Sequence, residues 1–183
     1  MPDSPKSSLE DVLDKYDQDI KRAQEASLKA KTAEETFLSE FRKVRKDVIR
    51  PIMERIGSEL KRRGHGYEIL EPERKELEGK TLDVMITMNV YPKDIPRAEF
   101  EKNEFEKHPE SVPHVAFSAV RYKRSVCVSS SNIMPGRGGS GGPSGEYDLS
   151  QVKPELVESE LVKGLTHIFS RTYRTFNRFG RPT

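Results

Sequence analysis

The chain lacks tryptophan and has a single cysteine, Cys127, among its 183 residues. One cysteine cannot form a disulfide within the chain, which is typical of proteins from a reducing compartment. Because Cys127 stands between Val126 and Val128, we predict a small buried side chain in a strand rather than a catalytic thiol. The first residues do not have the basic segment followed by an apolar one that forms a secretory leader. We therefore expect a cytoplasmic protein.

Long apolar runs are also missing from the sequence. No stretch of about 18 apolar residues occurs, so we predict no transmembrane helix. Only 33% of the residues are apolar, 34% are charged, and the mean hydropathy is −0.77. The formal net charge of +2 is too small to indicate a nucleic-acid partner by itself. This composition predicts a soluble protein with a large surface relative to its core.

No motif specific for catalysis, metal binding or nucleotide binding occurs. The histidines lie at no metal-ligand spacing, at positions His65, His108, His114 and His167. The glycine-rich stretch at 135–145 lacks the Lys-Ser or Lys-Thr pair of a phosphate-binding loop, and it does not lie in the βαβ unit of a dinucleotide-binding fingerprint. The hydroxyl cluster at 129–131 is not part of a Gly-x-Ser-x-Gly elbow. We predict no catalytic residue, no metal site and no cofactor.

The strongest pattern that is present is a 4-3 alternation between Ser8 and Val48. Its positions are Leu9, Leu13, Tyr16, Ile20, Ala23, Ser27, Ala30, Glu34, Phe37, Phe41, Val44 and Val48. This 3.5-residue spacing is typical of a coiled-coil seam, and charges of both signs lie between the seam positions. Both ends of the seam are large and apolar, whereas its middle is small or polar. The pattern predicts a long amphipathic helix in an N-terminal arm, residues 1–48.

The length of this helix indicates a partner for its seam. At about 1.5 Å per residue it spans roughly 60 Å, which is more than a small domain can cover. Because a helix gains most of its stability from a packed face, we predict a homo-oligomer, most simply a dimer. The predicted interface consists of Leu9, Leu13, Tyr16, Ile20, Phe37, Phe41 and Val44, with the two phenylalanines as anchors. Two alternatives are an exposed single helix and a hairpin within one chain that bends between Ala23 and Glu34.

The helix and strand signals in residues 49–183 predict one α+β domain. Pro51 predicts a kink or short break, after which a second helix runs to about Arg63 with Gly64 as its C-cap. Alternating or apolar runs predict strands at 66–70, 81–91, 115–122 and 125–129. In the strand at 81–91 the alternation predicts a buried face that includes Ile86, Met88 and Val90 and a solvated face that includes Thr87 and Asn89. Pro154 and the apolar stripe after it predict a C-terminal helix. The expected fold is a small antiparallel sheet of about four strands flanked by helices.

Three segments of the domain have unusual composition. Residues 42–63 contain nine basic residues and three acidic ones. The C-terminal segment 171–183 has arginines between aromatic rings, an arrangement that suits contacts with an anion or a nucleic acid: Arg171, Arg174, Arg178 and Arg181. Cations that complement a helix dipole are the alternative explanation for this basic aromatic tail. Residues 135–145 are predicted to form a flexible loop, either a connector or a recognition loop.

These patterns favour a protein that binds other proteins. Our hypothesis is a non-enzymatic interaction or scaffold module that self-associates through its N-terminal helix and presents its α+β domain to a protein partner. The alternative is a nucleic-acid-associated module that uses the two basic segments. An enzyme is the least expected class.

Overall fold

The computed structural model describes residues 5–72, 84–101, 112–135 and 138–179. Five strands form one antiparallel sheet in the order β1-β2-β3-β4-β5. The elements are α1 (Pro5–Val44), a π-helical turn (Arg45–Ile49), α2 (Arg50–Arg62), β1 (Gly66–Leu70), β2 (Met85–Tyr91), α3 (Arg97–Glu101), β3 (His114–Val120), β4 (Ser125–Ser131), β5 (Gly141–Asp148), a 3-10 turn (Leu149–Gln151) and α4 (Pro154–Phe179). The predicted α+β class is confirmed, with five strands instead of about four.

The chain forms two compact units, Met1–Phe37 and Leu38–Thr183. The first contains most of α1, and the second contains the sheet and the other helices. Helix α1 continues without interruption through the small and polar stretch between Ala23 and Glu34. The alternative of a helical hairpin that bends there is therefore wrong.

The break predicted at Pro51 takes the form of a π-helical turn just before it. A proline lacks the backbone N–H, and its ring crowds the carbonyl of the residue four positions earlier, here Asp47. In the wider turn the Arg50 N–H donates to the Arg45 carbonyl, five residues back. The helix then resumes as α2 with Pro51 in its first turn, where the missing N–H costs nothing.

Helix α2 ends at the predicted glycine. Gly64 has a φ of 89°, a left-handed conformation that favours glycine. Its N–H donates to the Lys61 carbonyl at 3.0 Å, and the His65 N–H donates to the Leu60 carbonyl at 3.0 Å. This pair of bonds is the Schellman motif, and it directs the chain into β1.

One face of the sheet forms the core of the second unit. On β2 this face consists of Ile86, Met88 and Val90, all fully buried as predicted from the alternation. Register aligns Ile86 and Met88 with Phe117 and Val115 of β3, and helices α2 and α4 pack against the sheet. The approach of α4 is close, since a Cβ atom at Gly164 would clash with Val115 on β3.

The opposite face of the sheet differs from its prediction in two ways. Thr87 and Asn89 were expected to be solvated, yet both are buried. Cys127 was expected to be buried, yet it is half-buried beside Ser118 and Glu146. Burial, and then the negative charge of Glu146, raise the pKa of the Cys127 thiol, so little of it is thiolate at neutral pH.

Part of the glycine-rich stretch forms a strand that was not predicted. Residues 141–145 were assigned to a flexible loop, but they form the first part of strand β5. Strand β5 lies at the edge of the sheet, where Pro143 is tolerated because one side of an edge strand makes no ladder bonds. The register shifts opposite Val128 and Ser129, so the strand bulges next to the proline.

Candidate functional site

An apolar stripe on helix α1 is the most conspicuous exposed feature of the described chain. Leu9, Leu13, Tyr16 and Ile20 have 59%, 52%, 62% and 39% of their surface exposed. They occupy successive positions of the 4-3 pattern, so they lie on one face of the helix. Single exposed apolar residues are ordinary, but a contiguous row of large ones indicates a binding surface. We call these four residues the arm stripe.

Next to the arm stripe, the same helix has a shallow apolar depression. Its volume is 480 Å³, and it is lined by Ile20, Ala23, Gln24, Ser27, Leu28 and Lys31. The depression exists because the seam positions after Ile20 carry small side chains. The side chain of Leu28 beside it is 67% exposed. Along the seam of α1, a segment of large side chains is thus followed directly by a segment of small ones.

The other predicted interface residues have different surroundings. Phe37 and Phe41 are buried within the chain, with 5% and 0% of their surface exposed, and Val44 is half-buried. A ring that is already buried has no free surface to offer to a second copy. Of the predicted interface, the arm stripe is therefore the part with exposed apolar surface, and Phe37 and Phe41 are core residues.

Ion pairs take up several cations of the basic segment at 42–63. Arg50 pairs with Glu71 at 2.7 Å, and Arg55 pairs with Glu158 at 2.8 Å. Neither of these two acids lies within the basic segment. Hydrogen bonds from Arg62 and Arg63 lower the pKa of Glu59 to about 2. Because acids from outside the segment neutralise part of it, its excess of positive charge is smaller in space than in sequence.

The basic aromatic tail lies largely outside what the structure describes. Helix α4 continues to Phe179, which confirms a C-terminal helix. The side chains from 171 onward, including all four arginines of the predicted anion contact, are outside the described residues. Their role stays a prediction.

The structure brings Ser130 of the hydroxyl cluster to His167 on α4. The Asn132 side-chain oxygen accepts the backbone N–H of Ser140 at 2.8 Å, so its amide nitrogen faces His167 Nε2 at 3.0 Å. Nε2 then accepts, which leaves the ring proton on Nδ1 to donate to Ser130 Oγ at 3.2 Å. A nucleophilic serine requires the reverse, a ring nitrogen that accepts the serine proton. This network joins β4, the start of β5 and α4 instead of activating Ser130.

A buried carboxylate, Glu160, forms a second network between β5 and α4. Its side chain is fully buried and accepts hydrogen bonds from Tyr147 Oη at 2.9 Å, Ser144 Oγ at 3.2 Å and Lys163 Nζ at 2.6 Å. Burial alone would raise the pKa of Glu160, but the bonds from Lys163 and Tyr147 outweigh it and hold the pKa below its usual value. Sequence reasoning missed this group because Ser144 lies in a segment assigned to a loop and Tyr147 reaches Glu160 only through the fold.

Polar side chains also lie in a row across the second face of the sheet. Register places Glu68 beside Asn89, Asn89 beside His114, and His114 beside Ser131. Asn89 Oδ1 is buried without a hydrogen-bond partner in the described part of the chain. His114 Nδ1 bonds to the Val112 carbonyl at 2.7 Å, and no hydrogen bond joins any two of the four row residues. The row therefore lacks the contact between nucleophile and base that catalysis by a triad needs.

An open groove with a volume of 670 Å³ runs between α2 and the edge strand β1. Its lining carries charges of both signs, including Arg50, Glu54 and Lys61. A groove lined by charges of both signs does not favour an anionic ligand over a cationic one.

The described residues provide neither a metal-binding cluster nor a membrane-spanning helix. Within them, no group of three or more His, Cys, Asp or Glu side chains is placed to hold a metal ion. None of the described helices combines the length and the apolar character needed to cross a membrane. Comparison of the whole chain with known protein families, curated proteins and solved structures finds no match.

Proposed function

We propose that this protein is a non-enzymatic interaction module that forms a homodimer through the arm stripe. The observation that carries the proposal is the row of four large exposed side chains at coiled-coil spacing on an uninterrupted helix. The paired arms would connect two copies of the α+β domain, which is the part that a protein partner would bind.

We also propose a cytoplasmic location, because a chain with one half-buried cysteine fits a reducing compartment.

The apolar surface of the stripe makes each of its side chains a measurable contributor to association. Complete burial of a Leu or Ile side chain contributes about 1.5–3 kcal/mol. A symmetric dimer buries each stripe residue twice, once from each arm, so a substitution at one position removes two such contributions. Single substitutions in the arm stripe should therefore have measurable effects.

Tyr16→Asp is expected to weaken the dimer by at least about 100-fold. The symmetric interface loses two rings and gains two carboxylates that must be desolvated. Tyr16 is 62% exposed in the single chain, so the change should leave the α+β domain intact. Sedimentation equilibrium at tens of micromolar measures the dissociation constant.

The matched control is Gln18→Asp, which adds the same charge two residues away, outside the seam. It should change the dissociation constant less than a few-fold. A wild-type protein that is monomeric at tens of micromolar would contradict the proposal and favour the exposed single helix.

Nucleic-acid binding stays the alternative prediction. It depends on Arg171, Arg174, Arg178 and Arg181, and on the segment at 42–63, whose ion pairs with Glu71 and Glu158 reduce the charge available to a phosphate backbone. If the four arginines each contact a phosphate, the log-log salt dependence of binding has a slope of about −3.6. A dimer held by the arm stripe has a much weaker salt dependence.

A further inference from the structure

We propose that the two arms pair in antiparallel orientation, with the arm stripe of each copy on the depression of the other. This inference rests on the proposed dimer and adds its orientation and register. In the proposed register, Leu13 faces Ala30 of the second copy, Tyr16 faces its Ser27, and Ile20 faces its Ala23. Charge, side-chain size and the exposure of the seam each favour this arrangement independently.

The charges of the arm are divided between its two halves. Residues 9–20 contain five acidic residues and one basic residue, a net charge of −4. Residues 21–34 contain four basic residues and two acidic ones, a net charge of +2. Parallel pairing would place the acidic half on a second acidic half. Antiparallel pairing places it on the basic half, which lowers the electrostatic energy along the whole overlap.

Charges directly beside the seam follow the same rule. In the antiparallel register, Glu10 of one copy flanks the seam opposite Lys31 of the other, and symmetry repeats this pair near the other end of the overlap. In a parallel dimer the corresponding flanking pairs are Val12 with Asp17 and Asp19 with Gln24, which include no pair of opposite charges. Only the antiparallel arrangement therefore gives the flanks attractive contacts.

Side-chain sizes in the seam match in the same register. Large residues fill the seam from Leu9 to Ile20, and small ones fill it from Ala23 to Ala30. Antiparallel pairing sets the large side chains of Leu13, Tyr16 and Ile20 against the small ones of Ala30, Ser27 and Ala23, so that these layers interdigitate. The 480 Å³ depression between Ala23 and Lys31 is then the hole that receives Tyr16 of the second copy. A parallel dimer would instead align Ala23 with Ala23 and Ser27 with Ser27, which leaves those layers underfilled.

Burial disfavours one of the two neighbouring antiparallel registers. A shift by one heptad in this direction would pair Leu9 with Phe41 and Leu13 with Phe37. Both phenylalanines are already buried within their own chain, so they have no free surface for a second arm.

Side-chain size disfavours the other neighbouring register. A shift by one heptad in the opposite direction would pair Tyr16 with Ile20, which sets two large side chains against each other in the same layer. The register that pairs Ile20 with Ala23 avoids both problems.

Disulfide trapping of the intact protein tests the orientation. Two single-cysteine variants, Ile20→Cys and Ala23→Cys, are made in a Cys127→Ala background, and one of them carries a tag that changes its mass. The mixed variants are equilibrated in a glutathione buffer, and the cross-linked species are separated by mass. We expect the heterodisulfide to exceed either homodisulfide by at least about tenfold, because residues 20 and 23 face each other only in the antiparallel register.

The other possible outcomes would contradict the orientation, the register or the dimer itself. A predominance of homodisulfides would establish a parallel dimer and overturn the inference. A dimer in sedimentation equilibrium that forms neither disulfide would overturn the register. Monomers in the wild type and in every variant would instead overturn the proposed dimer itself. A control pair at Gln18→Cys and Glu25→Cys, outside the seam, should form no cross-link above the level of random collision.

Discussion

Phe41→Ala is expected to lower the free energy of unfolding by about 3–5 kcal/mol, because it deletes a fully buried ring from a packed core. The sequence assigned this ring to the dimer seam, whereas the structure leaves none of its surface exposed. The loss combines the transfer free energy of the ring with the cost of the cavity that remains. Urea denaturation followed by circular dichroism, at a protein concentration below the dimer dissociation constant, measures the effect.

Leu13→Ala is the control for this prediction. Its side chain is 52% exposed in the single chain, so the urea midpoint should hardly change while the dimer weakens. The two variants should therefore have opposite profiles, one in stability and one in association. If Phe41→Ala dissociates the dimer and leaves the midpoint unchanged, Phe41 is an interface anchor after all, and the assignment of the ring to the core is wrong.

Positions 37 and 41 illustrate what a hydrophobic period can and cannot predict. The 4-3 pattern correctly predicted a long helix, since the spacing of apolar residues fixes which face is apolar. The spacing is the same whether that face is covered by the rest of the same chain or by a second chain. Sequence alone could therefore not divide the seam into the exposed Leu9–Ile20 segment and the buried Phe37 and Phe41.

Local signals account for the elements that were predicted well. Gly64 needs a left-handed conformation, and strand β2 alternates cleanly, so the end of α2 and the buried face of β2 followed from a few residues each. Strand β5 lacked any such signal, because Gly141, Gly142 and Pro143 are residues that strands usually avoid. Its formation depends on pairing with β4, a non-local interaction that propensities do not contain.

The buried network of Glu160 was missed for the same reason, because it also depends on non-local contacts. Ser144 and Tyr147 precede Glu160 by 16 and 13 residues, spacings that have no meaning within one helix or strand. They converge only because β5 pairs with β4 and α4 packs against β4. Of the candidate functional residues, the arm stripe was thus predictable from its period, whereas the side-chain networks needed the fold.

Glu160→Ala is expected to destabilise the protein by about 2–3 kcal/mol. Removal of the carboxylate leaves the Tyr147 and Ser144 hydroxyls without their acceptor and Lys163 without its ion-pair partner. The expected loss is below that of a fully buried ion pair, because the Lys163 side chain is 63% exposed and water can solvate its charge. Urea denaturation at pH 7 measures the change. The matched control is Glu158→Ala on the same helix, which removes only the exposed ion pair with Arg55 and should cost less than about 1 kcal/mol.

The pH dependence of the Glu160→Gln variant tests the cause of this effect. The pKa of Glu160 is lower in the folded chain than its ordinary value of 4.5, so between these two values the unfolded state binds more protons. The stabilisation is fully present above about pH 4.5 and is lost as the pH falls through the folded pKa. Glu160→Gln should therefore be less stable than wild type at pH 7, and the difference should shrink in acid.

Glu59 and Glu146 also have lowered pKa values, but both are unchanged in the variant, so the difference between the two proteins isolates Glu160. A difference that stays constant from pH 7 to pH 3 would mean that shape, and not the charge of the carboxylate, is what the hydroxyls and Lys163 require.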